Sequence, residues 1–333
     1  MGPKQERRIR ARNHTNTNIT KWKESRNGRR QSRAILGSIF PEPPPADLSD
    51  ITDQHQYPEP IPLPKIERHE IEAAIKATPP DKAPGEDGIP NSLWHKLIAI
   101  TKVREMLYQL FNACVRTGYN PKQFQTSITV VLRKPGEERD YRIPKSYRPV
   151  ALLNTLGKIL EAVIAKRISH AVEEYGLLPG THLGGQKGIS TDHAVQLMID
   201  RIRTSWGRGL PVVSLLLLDV VGAYDNVSHA RLQHILRKRR LGCLAPWIMA
   251  FLRDRSTRIR MPEGISRDIP TPTGIPQGSP LSPILYLLYN ADLIERCTEK
   301  AKMAMANGWI DDVCIMATGI SERSTIGKLQ QAC

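Results

Sequence analysis

The chain has 333 residues, enough for about two domains at roughly 100–200 residues each, and carries 48 Lys and Arg against 33 Asp and Glu for a net charge of +15. Residues 1–33 hold eleven basic and two acidic side chains, residues 34–130 nine and twelve, and residues 131–333 28 and 19. Such a field suits a polyanion, phosphate above all. The longest apolar stretches, around 212–218 and 284–289, fall far short of the ~20 residues of a membrane span, and no apolar segment follows the basic start, so no secretory signal is expected. The five cysteines, at 114, 243, 297, 314 and 333, show no CxxC or Cys/His metal spacing, which fits a reducing compartment without structural zinc. An intracellular location is expected, in the nucleus, although the Arg-rich, acid-poor start also suits a mitochondrial presequence.

In chain order, residues 1–33 lack apolar periodicity and read as a basic disordered tail. Residues 34–65 read as a Pro-rich linker, because the eight prolines of 41–64 withhold the N–H groups that regular structure needs. A helical segment is expected over 66–119. It comprises a helix at 66–77 with Ile71, Ala74 and Ile75 on one face, the turn-rich loop DKAPGEDGIPNSLW, and an amphipathic helix at 93–117. Residues 120–333 form the last unit. They begin with a strand at 127–132 closed by Arg133 and Lys134, a polar loop to Tyr147, and a helix over 154–175. A glycine-punctuated loop and a helix at 191–207 lead to the strand 212–219, apolar apart from Ser214 until it reaches Asp219 and so expected to be buried on both faces. A helix at 230–239, a strand-like 257–261, the turn GIPQGSPLSP, an apolar helix at 284–297 and two short strands flanking 308–312 complete the pattern.

Three constellations carry chemistry. In SLLLLDVVGAYDNV a buried strand delivers Asp219 to its mouth, with Tyr224 and Asp225 just beyond; a rigid strand fixes a carboxylate well for metal binding, although Asp219 or Asp225 could instead cap the next helix. In GWIDDVCIM two adjacent carboxylates oppose each other's ionisation unless a cation removes the penalty. A hairpin turn would send Asp311 and Asp312 to opposite sides, leaving one principal ligand; the plain alternative is a solvated tip. Three carboxylates on two strands of a basic chain are what a two-metal phosphoryl-transfer site requires, and hard oxygen ligands with phosphate favour Mg²⁺. In TPTGIPQGSPLSPILY, Gly274 and Gly278 would let the backbone approach a ligand closely, the prolines stiffen the loop and Gln277 is its polar side chain. The alternative there is a tight turn before a helix starting at Ser282-Pro283.

The order LDVVGAYD, PQGSPLSP, IDD resembles the reverse transcriptase domain of non-LTR (LINE-type) retrotransposons. Upstream, DKAPGEDGIPNSLWHKL resembles the segment just ahead of that domain. VVLRKPGEERDYRIPKSYRPVALLNTLGKILEAVIAKRI and GGQKGISTDHAVQLMI resemble its fingers motifs, so the likeness spans roughly residues 66–325. It implies an α/β fold of the polymerase right-hand type. A palm (about 211–241 and 266–333) with a small antiparallel sheet would join fingers (about 120–210 and 242–265), with the thumb missing because the chain stops 21 residues after Asp312. It also implies RNA-directed DNA synthesis on an RNA template, a DNA primer and deoxynucleoside triphosphates, with no membrane partner. Asp219, Asp311 and Asp312 would be the catalytic carboxylates holding two Mg²⁺ ions. Tyr224 would lie beneath the nucleotide sugar and exclude a ribose 2′-OH, Gln277 would sit near the incoming nucleotide, and Lys134 and Arg148 would hold the triphosphate. Trp309 departs from the Tyr or Phe most common at its position. A remnant that binds nucleic acid without extending a primer is the alternative reading.

Overall fold

Among the described residues, three α-helices precede the first strand: α1 (Arg68–Ala77), α2 (Asn91–Leu97) and α3 (Thr101–Thr117). The structure is a computed structural model that describes residues 45–52, 56–136, 140–141, 143, 146–184, 188–261, 264–300 and 304–332. The expected tail at 1–33 and the start of the Pro-rich linker lie outside the described residues. The stripe read as one helix over 93–117 is two, because the chain leaves helical geometry between α2 and α3, where Ile100 is extended. A shared apolar face cannot distinguish one long helix from two that turn. Residues 56–65 form no helix or strand but are fastened down: the Tyr57 hydroxyl meets His234 Nδ1 at 3.0 Å, and Ile61 N–H donates to the Arg240 carbonyl at 2.8 Å.

The remaining elements are β1 (Thr126–Arg133), β2 (Tyr147–Leu153), α4 (Thr155–Tyr175), α5 (Thr191–Gly207), β3 (Val212–Leu218), α6 (His229–Lys238), α7 (Ala245–Leu252), β4 (Ser256–Met261), β5 (Gly264–Ile265), β6 (Ile269–Pro270), α8 (Ser282–Lys300), β7 (Ala304–Trp309), β8 (Asp312–Gly319) and α9 (Glu322–Ala332). They build two sheets. One is mixed, in the order β2-β1-β4-β5 with β6 on β4, where β1 runs antiparallel to β2 and parallel to β4. The other is the antiparallel β3-β8-β7. β2, β5, β6, α7 and α9 have no counterpart in the sequence pattern, and two of them show why. β2 contains Pro149 and is an edge strand, where a missing N–H is tolerated. α7 (APWIMAFL) is apolar all round because it is buried, so it shows no period.

The main core gathers α1, α3, α4, α6, α7 and α8 around Ile159, Leu160, Ile164 and Ile168. A second, smaller core lies between β3-β8-β7 and the helices α8 and α9. That arrangement corrects the reading of β3 as buried on both faces. Leu216 and Leu218 pack inward, and Ser214 Oγ meets Thr325 Oγ1 of α9 at 2.7 Å. Leu215 and Leu217 face the other way and are 45% and 72% exposed. On that outer face α5 reaches β8, with Met198 Sδ 3.5 Å from Cys314 Sγ, but leaves Leu215 and Leu217 open, and an all-apolar strand does not reveal that. Residues 269–270, within the stretch expected to belong to the palm, pair with β4 of the mixed sheet.

Candidate active site

β3 and β8 are in register through Leu218 and Val313, which brings Asp219, the next residue, to the mouth of the sheet beside Asp312. β7 and β8 close through a two-residue connection, Ile310-Asp311, between the paired Trp309 and Asp312. Ile310 takes a left-handed φ of 56°. Burial first, then the charges of Asp311 and Asp219, push the Asp312 carboxyl above its ordinary value. Asp219 and Asp311 line a cleft of about 1,400 Å³; Asp312 is exposed and does not line it. Neither Asp219 nor Asp225 caps the following helix. Ser228 does, its hydroxyl accepting from Arg231 N–H at 3.3 Å.

The same cleft is lined by Tyr224, Gln277, Lys134 and Arg148. Tyr224 stacks on Tyr286 of α8, with ring centroids 5.3 Å apart and planes 17° apart. Burial and the nearby Asp311 raise the pKa of its hydroxyl. Gln277 Nε2 lies 3.3 Å from both oxygens of Asp225, whose carboxyl is pushed up to about 6 by burial against the lowering effect of that amide. Lys134 follows β1, its N–H bonded to the Ser146 carbonyl at 2.9 Å, and Arg148 projects from β2 opposite Leu132.

The loop carrying Gln277 is held by protein on both sides. Ile275 N–H donates to the Tyr224 carbonyl at 2.8 Å, and Ala151 N–H of β2 donates to the Gln277 carbonyl at 2.7 Å. Ser279 Oγ donates to the buried Glu161 of α4 at 2.5 Å. The two glycines serve this packing: a Cβ on Gly274 would lie 2.6 Å from the Asp225 carbonyl oxygen, and one on Gly278 would meet the Ala151 carbonyl. Their close approach is therefore to backbone, where the sequence reading expected a ligand.

Three cleft lysines escaped the sequence reading: Lys82, Lys158 and Lys166. Burial lowers the Lys158 ammonium pKa. A signal existed, because Thr155, Lys158, Ala162 and Lys166 follow the spacing of one helical face and all line the cleft. Among the described residues no group of three or more His, Cys, Asp or Glu is gathered closely enough to form a complete metal cage. Two carboxylates lining one cleft nonetheless suit Mg²⁺, which keeps several waters and takes few protein ligands when phosphate supplies the rest.

Acid from one sheet and cations from the other line one open cleft, an arrangement whose charges would complement a divalent cation and a phosphate group. The reverse transcriptase (RNA-dependent DNA polymerase) family profile matches residues 132–333, and the chain belongs to that family. It is 31% identical over 272 residues to the probable RNA-directed DNA polymerase from transposon X-element of Drosophila melanogaster, covering 81% of this chain and 29% of that protein. It is 31% identical over 235 residues to the corresponding protein of transposon BS from the same organism, covering 70% of this chain and 25% of that protein. The Pol polyprotein of the type-1 retrotransposable element R2 from Popillia japonica is 32% identical over 225 residues, covering 66% and 29%. The domain is thus a reverse transcriptase domain of the non-LTR retrotransposon type. The chain spans less than a third of the length of these relatives. Among the described residues no helix is long and apolar enough to cross a membrane.

Proposed function

We propose that this domain adds deoxynucleotides to a primer 3′-OH against an RNA template, with β3-β8-β7 as the palm and β2-β1-β4 as part of the fingers. The observation that carries this reading is the convergence of Asp219, Asp311, Tyr224, Gln277, Lys134 and Arg148 on one cleft from elements scattered over 178 positions of sequence, 134 to 311 inclusive. Asp219 and Asp311 would hold the divalent cations, with Asp312 acting on them through its charge. Two Mg²⁺ ions bound there would supply charge stabilisation at the attacking and leaving oxygens.

The chain's own residues position and select. Lys134 and Arg148 attract the triphosphate, and the Arg fork is shaped for bidentate contact. Tyr224, braced by Tyr286, presents a ring edge that a ribose 2′-OH would meet and a deoxyribose would not. Asp225 takes the Gln277 amide N–H₂ and so orients that side chain in the cleft lining. Much of the catalysis in such transfers is positioning and electrostatics. Acting on nucleic acid, the domain would work inside the cell, in the nucleus.

Primer extension on an RNA template with Mg²⁺ tests the reading, with Tyr224→Ala as its sharpest variant. Deoxynucleotide incorporation by the chain, and ribonucleotide incorporation gained in the variant, are the expected results. A folded chain that binds the template–primer but never extends it would leave the alternative, a nucleic-acid-binding domain without synthesis.

A further inference from the structure

The loop between α4 and α5 runs beside β7 at the point where that strand enters its turn. Leu183 N–H donates to the Gly308 carbonyl at 2.8 Å and Gly308 N–H donates to the Thr181 carbonyl at 3.0 Å, a parallel bridge centred on His182. His182 is fully buried, and its ring fills the space a side chain on Gly308 would need: a Cβ there would lie 2.5 Å from Cδ2 and 3.0 Å from Nε2. Two residues along, a Cβ on Gly184 would lie 2.5 Å from Ile310 N. The Ile310 backbone interacts with the His182 ring, and the Ile310 carbonyl lies 3.5 Å from Asn290 Nδ2 of α8. Contacts from the loop and from α8 thus close on the one residue that precedes Asp311.

That residue is itself strained, and of the described non-glycine residues with positive φ it alone is β-branched. Left-handed backbone is rare for a β-branched side chain, and tight hairpin connections that need positive φ usually place Gly or Asn there. Such a conformation persists only where its surroundings over-determine it.

We propose that His182 is a positioning residue for Asp311: wedged against Gly308 and the Ile310 backbone, its ring holds the turn left-handed and so aims the Asp311 carboxylate into the cleft. This rests on the reading of Asp311 as a metal ligand. Burial pushes the imidazole down to about 4, so the ring is neutral at working pH and acts by shape and contact.

Mn²⁺ alone serves as the probe, its binding to the full chain followed by electron paramagnetic resonance with thermal midpoints measured alongside. His182→Ala should weaken Mn²⁺ binding about tenfold, the lower end of what removing a group that orients a metal ligand costs. Gly308→Ala reaches the same contact from the other side without opening a cavity, and should do likewise. In His182→Ala/Gly308→Ala the new methyl occupies space the ring has left, and most of the affinity should return. Ile248→Ala, in the core of α7, should lower the thermal midpoint while leaving Mn²⁺ affinity alone, which separates positioning from general loosening. If Asp311→Asn and Asp219→Asn abolish binding but His182→Ala and Gly308→Ala bind as the native chain does, the proposal is overturned by itself. A double variant worse than either single one overturns it too. Undiminished binding in Asp311→Asn and Asp219→Asn overturns the reading of the carboxylates, and the proposal with it.

Discussion

Asp219 and Asp311 stand on the three-stranded antiparallel sheet, one at the mouth of β3 and one in the tight turn of the β7–β8 hairpin. Lys134 and Arg148 stand on the other side of the cleft, just past the end of β1 and on β2, an edge strand with an exposed arginine. The acidic wall is braced by a second core, by α8 and α9, and by the loop around His182; on the basic wall Lys134 is half-buried past the end of its strand and Arg148 stands exposed on a sheet edge. The difference matches what each charge must do. Metal ligands have to sit within about 0.2 Å of their proper distances, whereas Coulombic attraction of a phosphate falls off slowly with distance and forgives movement. Rigid support is concentrated where geometry is strict.

The largest effects should come from the acidic wall. Asp219→Ala or Asp311→Ala should each abolish primer extension, and the double variant should be scarcely worse, because groups that act as a unit are not additive. Asp312→Ala, outside the cleft lining, should retain measurable extension. Equal loss in all three, read from single-turnover rates, would break the distinction between Asp311 and its neighbour.

Changes in the basic wall should be graded. Lys134→Ala and Arg148→Ala are expected to raise the KM for deoxynucleotides by about tenfold each, in line with ~1.4 kcal/mol per lost charge contact, with kcat changed far less. Steady-state kinetics with varied nucleotide concentration checks this, and a fall confined to kcat would show that these cations act on the reacting geometry.

Between the walls, Asp225 supplies a pH signature. Its carboxyl is raised from 3.8 to about 6 in the folded chain, so the folded state holds that proton more tightly than the unfolded state does. The stabilisation linked to it is fully present below about pH 3.8 and is lost as pH rises through about 6. Compared with the native chain, Asp225→Asn should therefore gain stability between pH 4.5 and 7.5, measured as urea midpoints without divalent cations. A pH-independent difference would place Asp225 in ordinary contact with water.

The smallest effect is expected on the open face of the acidic sheet. Leu217→Ala should change stability by no more than about 0.5 kcal/mol, as at an ordinary surface position, and not by the roughly 2–5 kcal/mol of a buried leucine. Chemical denaturation decides it; a large loss would mean that this face is covered in solution.

Chemistry was the most legible part of the sequence. A polar residue ending an apolar strand, two adjacent carboxylates between apolar runs, and a Gly-Pro loop with one glutamine are each local patterns, and they single out Asp219, Asp311, Asp312 and Gln277 because burying such groups without purpose is costly. The small sheet was legible for the same reason: its strands alternate with turns and helices that punctuate them. Partners were not. Nothing local says that Leu215 and Leu217 face solvent, that α7 is a helix rather than another apolar strand, or that a proline-bearing segment forms β2, because each depends on what lies across the core. Nothing local shows that Gly274 and Gly278 make room for the backbones of Asp225 and Ala151, or that His182 closes on the turn before Asp311. Residue type and spacing determine which groups are able to bind a cation or a phosphate. Long-range pairing, parallel β1–β4 and antiparallel β3–β8 among it, decided where those groups meet, because contacts between residues so far apart in the chain leave no periodicity in either segment alone.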